Sequence, residues 1–341
     1  IGGKTIAYYL CTTACAIVIG LIIANVFNVG GGYTLTADEL SYEAKAAPSF
    51  IETIVNIFPS NFVQPMSDAS MLQIIVIALF FGFGILAAGK KAQPVADFVN
   101  GMSEVCIKIM HMIITIAPFG VFGLITPVVA TNGPDILLPL LKLILVAYLA
   151  MILHMVVVYS GMVKAIAKMG PLTFFKGQVR AMTFAFASAS SVGTLPINME
   201  CTEKMGISKE VTSFVLPLGA TINMDGTAIY QGVCAIFIAQ VFGIDLSIGQ
   251  QLTIVMTAVL ASIGTAGVPG SGMIMLAMVL QSVGLPVEGV ALVAGVDRIL
   301  DMMRTTVNVT GDAAVATCVD AMQKRAAARR ARKAEKLAKA A

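Results

Sequence analysis

The chain carries little charge. Asp, Glu, Lys and Arg make up 12% of its 341 residues, against 57% hydrophobic residues. Soluble domains carry about twice that charged fraction, so the composition excludes an ordinary soluble protein. Tryptophan is absent and the net charge is only +3, which gives no support for a nucleic-acid partner. We expect an all-α polytopic membrane protein.

Histidine is also scarce, and the six cysteines are scattered through apolar stretches. A catalytic serine or thiol needs a general base within reach, and neither His111 nor His154 accompanies a nucleophile motif. No Cys and His residues share the spacing of a zinc site. These features disfavour an intramembrane hydrolase and a transition-metal site, and leave a passive channel as a rival to a carrier.

Apolar stretches long enough to cross a bilayer lie at about 5–28, 71–89, 104–130, 136–164, 211–241 and 286–310. Two further regions, 174–200 and 250–285, each contain an apolar arm, a tip of small residues and a second apolar arm. This pattern predicts re-entrant helical hairpins, and such a pair indicates a transporter built from inverted repeats. The charged residues of the Ala-rich segment 321–341 are nearly all Lys and Arg, which predicts a cytoplasmic C-terminus.

Polar residues interrupt the last span. At about 100° per residue, about one quarter of the helix circumference holds Asp297, Asp301, Arg304, Asn308 and Asp312. A charge at bilayer depth costs a few kcal/mol, so this face must contact protein, ions or an aqueous cavity. Asp301 and Arg304 alone would fit a structural i,i+3 ion pair. The other polar residues on the same face favour a binding site.

The candidate ligands are mostly oxygens. Asn223, Asp225 and Asp312 offer amide and carboxylate oxygens, and Gly219 and Gly226 are expected to let the helix unwind and expose carbonyls. Such donors suit an alkali or alkaline-earth cation.

A second set of groups suits an acidic amino acid. Arg304 offers a planar fork for one carboxylate, and Asp301 can hold an ammonium. The N–H groups of the hairpin tips can take a second carboxylate. A ligand with one ammonium and two carboxylates is an acidic amino acid.

Four motifs carry a family resemblance: Asn223-Met224-Asp225-Gly226-Thr227, Ser190-Ser191-Val192-Gly193-Thr194-Leu195-Pro196, Gly264-Thr265-Ala266-Gly267-Val268-Pro269-Gly270, and Asp301 to Asp312. Together they resemble the dicarboxylate/amino acid:cation symporters, and most of all the sodium-coupled glutamate/aspartate transporters. The resemblance implies a homotrimer in the cell membrane, each subunit having a scaffold and a transport domain that moves like an elevator. It places Ile1 near the third of eight spans, so the first two are expected to be missing.

The resemblance also divides the chain. A transport-domain helix (the family's third) occupies 1–28, a scaffold and trimerisation region with a broken helix 29–103, and a scaffold helix 104–135. A transport-domain helix follows at 136–173. The transport core of both hairpins, the Asn223–Thr227 helix and the last helix occupies 174–320, and a basic tail 321–341.

Site residues follow from the same resemblance. The implied substrate ligands are Ser190, Ser191 and Asn308 for the α-carboxylate, Asp301 for the amino group, and Arg304, Thr227 and the backbone near Gly272 for the side-chain carboxylate. Val268 is implied to line the second tip, and Thr305 is a further implied substrate-binding residue. The implied ligands of co-transported Na⁺ are Asn308 and Asp312 with carbonyls near Gly219 and Asn223; Thr221 and Met224 with carbonyls near Ser262, Ile263 and Thr265; and Tyr9, Thr12 and Thr13 with Asn223 and Asp225.

Two positions depart from the family pattern. Its members usually carry an arginine at one of the positions held here by Ala189 and Met302. Arg298 lies one helical turn before Met302, and its guanidinium is expected either in the same space or paired with Asp297 or another acid.

The sequence thus predicts a secondary active transporter that couples sodium entry to uptake of L-aspartate or L-glutamate. A proton-coupled relative, with Asp225 or Asp312 carrying the proton, and a C4-dicarboxylate carrier remain alternatives. Membrane lipid is the expected surrounding partner.

Overall fold

The computed structural model describes residues 2–32, 55, 58–67, 71–132, 137–265, 267 and 270–340. Every regular element in these ranges is helical, which confirms the all-α prediction. The helices of the first half are α1 (Gly2–Val26), α2 (Gln64–Ser67), α3 (Met71–Ala88), α4 (Gln93–Asn132) and α5 (Leu137–His154). Those of the second half are α6 (Pro171–Ser188), α7 (Ser191–Lys204), α8 (Lys209–Ile222), α9 (Asp225–Val241), α10 (Ile248–Gly264), α11 (Ser271–Ser282), α12 (Val290–Ala294) and α13 (Asp297–Ala340).

Three helical stretches within the described ranges are long and apolar enough to cross a membrane: Gly2–Val26, Val76–Cys106 and Leu137–Ala167. The first and third match the spans predicted at 5–28 and 136–164. The third includes α5 and its continuation through two π-helical segments, Met155–Tyr159 and Val163–Ala167. The span predicted at 286–310 differs, because the long helix α13 begins only at Asp297 and continues to Ala340.

The span predicted at 211–241 is two helices. α8 ends at Ile222 and α9 begins at Asp225, with Asn223 and Met224 non-helical between them. The unwinding expected near Asp225 is present as this break, but Gly219 and Gly226 lie inside the helices on either side of it. They allow close approach instead: a Cβ on Gly226 would collide with the backbone of Arg304, and one on Gly219 with the carboxylate of Asp312.

Two antiparallel helical hairpins lie where hairpins were predicted. α6 and α7 pack together and are joined by Ala189, in the left-handed conformation at φ 52°, and Ser190. α10 and α11 pack together across the tip at 265–270. The two tips touch, because the Val192 N–H donates to the Gly267 carbonyl at 3.1 Å. Their re-entry into a membrane stays a prediction.

Helix α9 forms the centre of the fold. All of its residues except Gln240 are buried, as expected of a helix that is apolar on all sides. α1 packs along it, with Gly20 against the backbone of Ile229, and α5 and α13 pack beside it. This packing brings α1, the break before α9 and the polar face of α13 together.

Candidate substrate and cation site

A small cavity lies where both tips, the α8–α9 break and α13 meet. Its accessible volume is about 10 Å³, and it is lined by Ala189, Ser191, Met224, Thr227, Gly267, Ser271, Asp301, Arg304, Thr305 and Asn308. One water molecule needs about 10–15 Å³ of such space, so the site is closed around its own side chains, and a substrate must displace them to enter. Of the remaining predicted substrate residues, Ser190 and Gly272 lie beside the cavity, and Val268 lies outside the described residues.

Arg304 is the charged centre of this cavity. Its side chain is 2% exposed, and Nη2 lies 2.7 Å from Asp301 Oδ1 while Nη1 lies 3.6 Å from Asp297 Oδ1. The guanidinium also stacks over the ring of Tyr230, 4.6 Å from the ring centroid. One buried cation thus faces two buried carboxylates, and this arrangement is favourable only while all three remain together.

The second tip closes on the same pair. The Gly270 N–H donates to Asp301 Oδ2 at 3.0 Å, and Gly272 packs directly against the Arg304 guanidinium. Thr305 Oγ1 donates to Asp301 Oδ1 at 3.3 Å. The α10–α11 tip therefore contacts both members of the ion pair through its backbone.

Asn308 is fixed by the start of α9. Its Oδ1 accepts a hydrogen bond from the Gly226 N–H at 2.7 Å, and its Nδ2 lies 3.3 Å from Thr227 Oγ1 and 3.2 Å from Met224 Sδ. The amide orientation is thereby set by the first turn of α9 and by Met224 in the break before it.

The first tip presents its two serines differently. Ser190 Oγ accepts the Gly193 N–H at 3.0 Å, which caps α7, and donates to the Gly267 carbonyl at 3.2 Å. Ser191 is buried and lines the cavity. Ser190 therefore holds the tips together, while Ser191 faces the cavity.

A group of oxygens surrounds Asp225. Its Oδ1 accepts from Thr13 Oγ1 at 2.7 Å and from Thr12 Oγ1 at 3.3 Å, and Thr12 Oγ1 lies 3.4 Å from Asn223 Oδ1. These side chains are all buried. Hydroxyl, amide and carboxylate oxygens are the ligands that hard cations prefer. Within the described chain, no three His, Cys, Asp or Glu side chains cluster as a metal site.

Asn223 joins this group to α13. Its Nδ2 donates to Asp312 Oδ1 at 2.9 Å and lies 3.5 Å from the Asn308 carbonyl. Gly219 leaves the room for Asp312, and the Tyr9 hydroxyl lies nearby, donating to the Val215 carbonyl at 2.8 Å. The predicted residues Tyr9, Asn223 and Asp312 thus meet at one buried place.

Other predicted cation ligands are not brought into this group. The Thr221 side chain is exposed and its hydroxyl donates to the Leu218 carbonyl at 2.9 Å. Ser262 and Thr265 also donate to carbonyls of their own helix. The Ile263 side chain lies outside the described residues. The carbonyls at these positions stay predicted ligands.

Sequence reasoning missed three residues of the site. His154 and Tyr159 both contact Asp225 Oδ2, and Tyr230 lies under Arg304. Polar residues inside an apolar span were the available signal. Residues five apart do not share a face of an α-helix, however. A shared face for His154 and Tyr159 requires a π-helical turn, which the sequence did not predict.

Arg298 makes no ion pair with Asp297 or another acid in the part of the chain that the structure describes. Its Nη2 donates to the Ala187 carbonyl at 3.1 Å, near the end of α6, and the side chain is exposed. Arg304 is the ion-pair partner of Asp297 instead. Arg298 therefore binds the first hairpin beside its tip.

Known proteins match almost the whole chain. A sequence model of the sodium:dicarboxylate symporter family matches residues 1–322. The proton/sodium-glutamate symport protein of Bacillus caldotenax is 40% identical over 332 residues, covering 93% of this chain and 77% of the relative. The proton/glutamate-aspartate symporter of Escherichia coli K12 is 39% identical, covering 92% and 74%.

C4-dicarboxylate transport protein 1 of Ralstonia nicotianae is 36% identical, covering 95% of this chain and 77% of the relative. These matches confirm the resemblance drawn from the four motifs and identify a multi-pass membrane transporter rather than an enzyme. The chain belongs to the sodium:dicarboxylate symporter family.

Proposed function

We propose that this protein is a secondary active transporter that takes up L-aspartate or L-glutamate together with sodium ions. The observation that carries the proposal is the buried ion pair of Arg304 and Asp301, 2.7 Å apart, in a cavity contacted by both helical tips. Each member of this pair matches the opposite charge on an acidic amino acid.

Binding exchanges one ion pair for two. The substrate ammonium binds Asp301, and the side-chain carboxylate of the substrate binds the guanidinium of Arg304. The substrate carboxylate then replaces Asp301 as the counter-charge of Arg304. The α-carboxylate faces Ser191, Asn308 and the N–H groups of the tips. Because Asp301 is freed at the moment when the ammonium needs it, a dicarboxylate without an amino group leaves this carboxylate buried and unpaired.

Charge balance explains why ions must accompany the substrate. Asp225 and Asp312 are buried, and an acidic amino acid adds one further net negative charge. Buried charge without a counter-charge is costly in a membrane protein. Sodium ions bound near Thr12, Thr13, Asn223 and the two carboxylates supply that counter-charge.

The surrounding architecture is part of the proposal. A transport core over 174–320, together with 1–28 and 136–173, carries substrate and ions as an elevator against a scaffold formed by 29–103 and 104–135. Three copies assemble in the cytoplasmic membrane, with the basic tail 321–341 on the inner side. Apolar side chains on the surface of α3 and α4, such as Phe83 and Phe119, support lipid or subunit contact there.

Calorimetric titration tests substrate and ion together. Purified protein receives L-aspartate in sodium chloride and in choline chloride at the same ionic strength, and proteoliposomes report uptake under a sodium or a pH gradient. We expect binding and uptake only with sodium. Uptake driven by the pH gradient without sodium would indicate a proton symporter. Competition by succinate as strong as that by aspartate would indicate a C4-dicarboxylate carrier. The names of two relatives include these activities.

A further inference from the structure

The second carboxylate oxygen of Asp225 is held by two side chains of one helix. The Tyr159 hydroxyl donates to Oδ2 at 2.7 Å, and His154 Nε2 lies 3.4 Å from the same atom. All three side chains are fully buried. A phenol at this distance from a carboxylate makes a short charge-assisted hydrogen bond.

The π-helical segment Met155–Tyr159 makes this arrangement possible. In an α-helix, residues five apart point about 140° away from each other. The wider π turn brings them onto one face, so the His154 and Tyr159 rings meet edge to face with centroids 4.8 Å apart. Both rings can then approach the same oxygen of Asp225.

Tyr159 is itself fixed by the last helix. Its hydroxyl lies 3.2 Å from the Val307 carbonyl, and Gly311 leaves the space that it occupies, since a Cβ there would come within 2.5 Å of Oη. α13 also carries Asn308 and Asp312. The position of the Asp225 carboxylate is therefore tied to the helix that carries the substrate ligands.

We infer that Tyr159 and His154 are positioning residues for the cation site, which hold Asp225 so that Oδ1 alone faces Thr12, Thr13 and Asn223. This inference rests on the proposed sodium coupling. Tyr159 and His154 enclose Oδ2, whereas the Thr12 and Thr13 hydroxyls beside Oδ1 can turn their hydrogens away and present oxygen to a cation. The carboxylate then binds the cation through Oδ1, at a distance set by the protein. A rigid site of fixed ligand number distinguishes cations of different size better than a carboxylate free to rotate.

Tyr159→Phe removes only the hydroxyl and tests the inference directly. Aspartate binding is measured by calorimetry over a series of sodium concentrations, and again with lithium in place of sodium. We expect the sodium concentration for half-maximal binding to rise about tenfold and the preference for sodium over lithium to fall. Aspartate affinity at saturating sodium should change less than about twofold, since Tyr159 does not line the substrate cavity.

Tyr148→Phe is the matched control, because Tyr148 lies on the same helix and its hydroxyl donates to the Ile299 carbonyl at 2.7 Å. It should leave sodium dependence and ion preference unchanged. His154→Gln, which keeps a polar side chain but loses the ring, is the second variant and should shift the sodium requirement in the same direction.

The outcomes separate this inference from the proposed function. Wild-type binding that needs sodium, with Tyr159→Phe and His154→Gln unchanged in sodium requirement and in ion preference, overturns the inference alone. Lower thermal stability of both variants without any change in ion dependence also overturns it, since the contacts would then be structural only. Wild-type binding that is indifferent to sodium overturns both.

Discussion

Gly272 packs against Arg304 so closely that any side chain at this position would overlap the guanidinium. The glycine lies in the first turn of α11, just after the tip that donates a hydrogen bond to Asp301. The second helical tip and the buried guanidinium of Arg304 are therefore in direct van der Waals contact.

Gly272→Ala should push the Arg304 side chain away from its place between Asp297 and Asp301. Because that side chain is enclosed on both sides, we expect aspartate affinity to fall about tenfold or more, by calorimetry at saturating sodium. Gly161→Ala is the control, since a Cβ on Gly161 meets nothing within 4 Å. If Gly272→Ala and the wild type bind aspartate with equal affinity, the tip has moved to accommodate the methyl group and Arg304 has kept its position.

Arg304→Ala should abolish the preference for acidic substrates. The variant leaves Asp297 and Asp301 facing each other without a cation, and breaking a buried ion pair costs about 3–5 kcal/mol. We expect lower thermal stability, loss of aspartate uptake and relative gain of neutral amino acids in proteoliposome competition. Arg180→Ala, which removes an exposed arginine paired with Glu200, should change none of these. Unchanged aspartate affinity in Arg304→Ala would remove this residue from the site.

Thr13→Val should weaken sodium binding while keeping the shape of the side chain. Thr13 donates to Asp225 Oδ1 at 2.7 Å, and a hydrogen bond to a charged group contributes about 1.5–3 kcal/mol. We expect the sodium concentration for half-maximal aspartate binding to rise about tenfold.

Thr310→Val provides the comparison for Thr13→Val. Thr310 is equally buried, but its hydroxyl donates to the Thr306 carbonyl of its own helix. Sodium dependence should stay as in the wild type. An equal shift in both variants would mean that general destabilisation, rather than loss of a ligand, moves the sodium requirement.

Arg298→Ala should affect the hairpin more than the substrate. The guanidinium donates to a carbonyl of the last turn of α6, and a cation there contributes about 0.3–1 kcal/mol. We expect a small loss of thermal stability and a change in aspartate affinity below about threefold. A loss of binding as large as that of Arg304→Ala would place Arg298 among the substrate ligands.

Much of the site could be predicted from the sequence, because buried polar residues are costly in an apolar chain. The polar face of α13 and the interruption at 223–224 were visible for that reason, and they reach the cavity through Asp301, Arg304 and Asn308 and through Met224. Their roles in binding substrate and sodium stay predictions.

Other features depend on packing that no local pattern encodes. Gly219 and Gly226 were expected to form the break near Asp225, yet they lie in the helices beside it and make close contacts with Asp312 and Arg304 of α13, which is distant in sequence. The pairing of His154 with Tyr159 required a π turn, for which the apolar sequence of α5 carries no distinctive residue. The hydrogen-bond partner of Arg298, the Ala187 carbonyl, depends on where α6 ends.

The carbonyl oxygen of Gly267 accepts from both the Val192 N–H and the Ser190 hydroxyl. These two links between the tips end on the same atom, so neither can be lost alone when that peptide moves away. The register of the first tip against the second therefore depends on the position of a single peptide group.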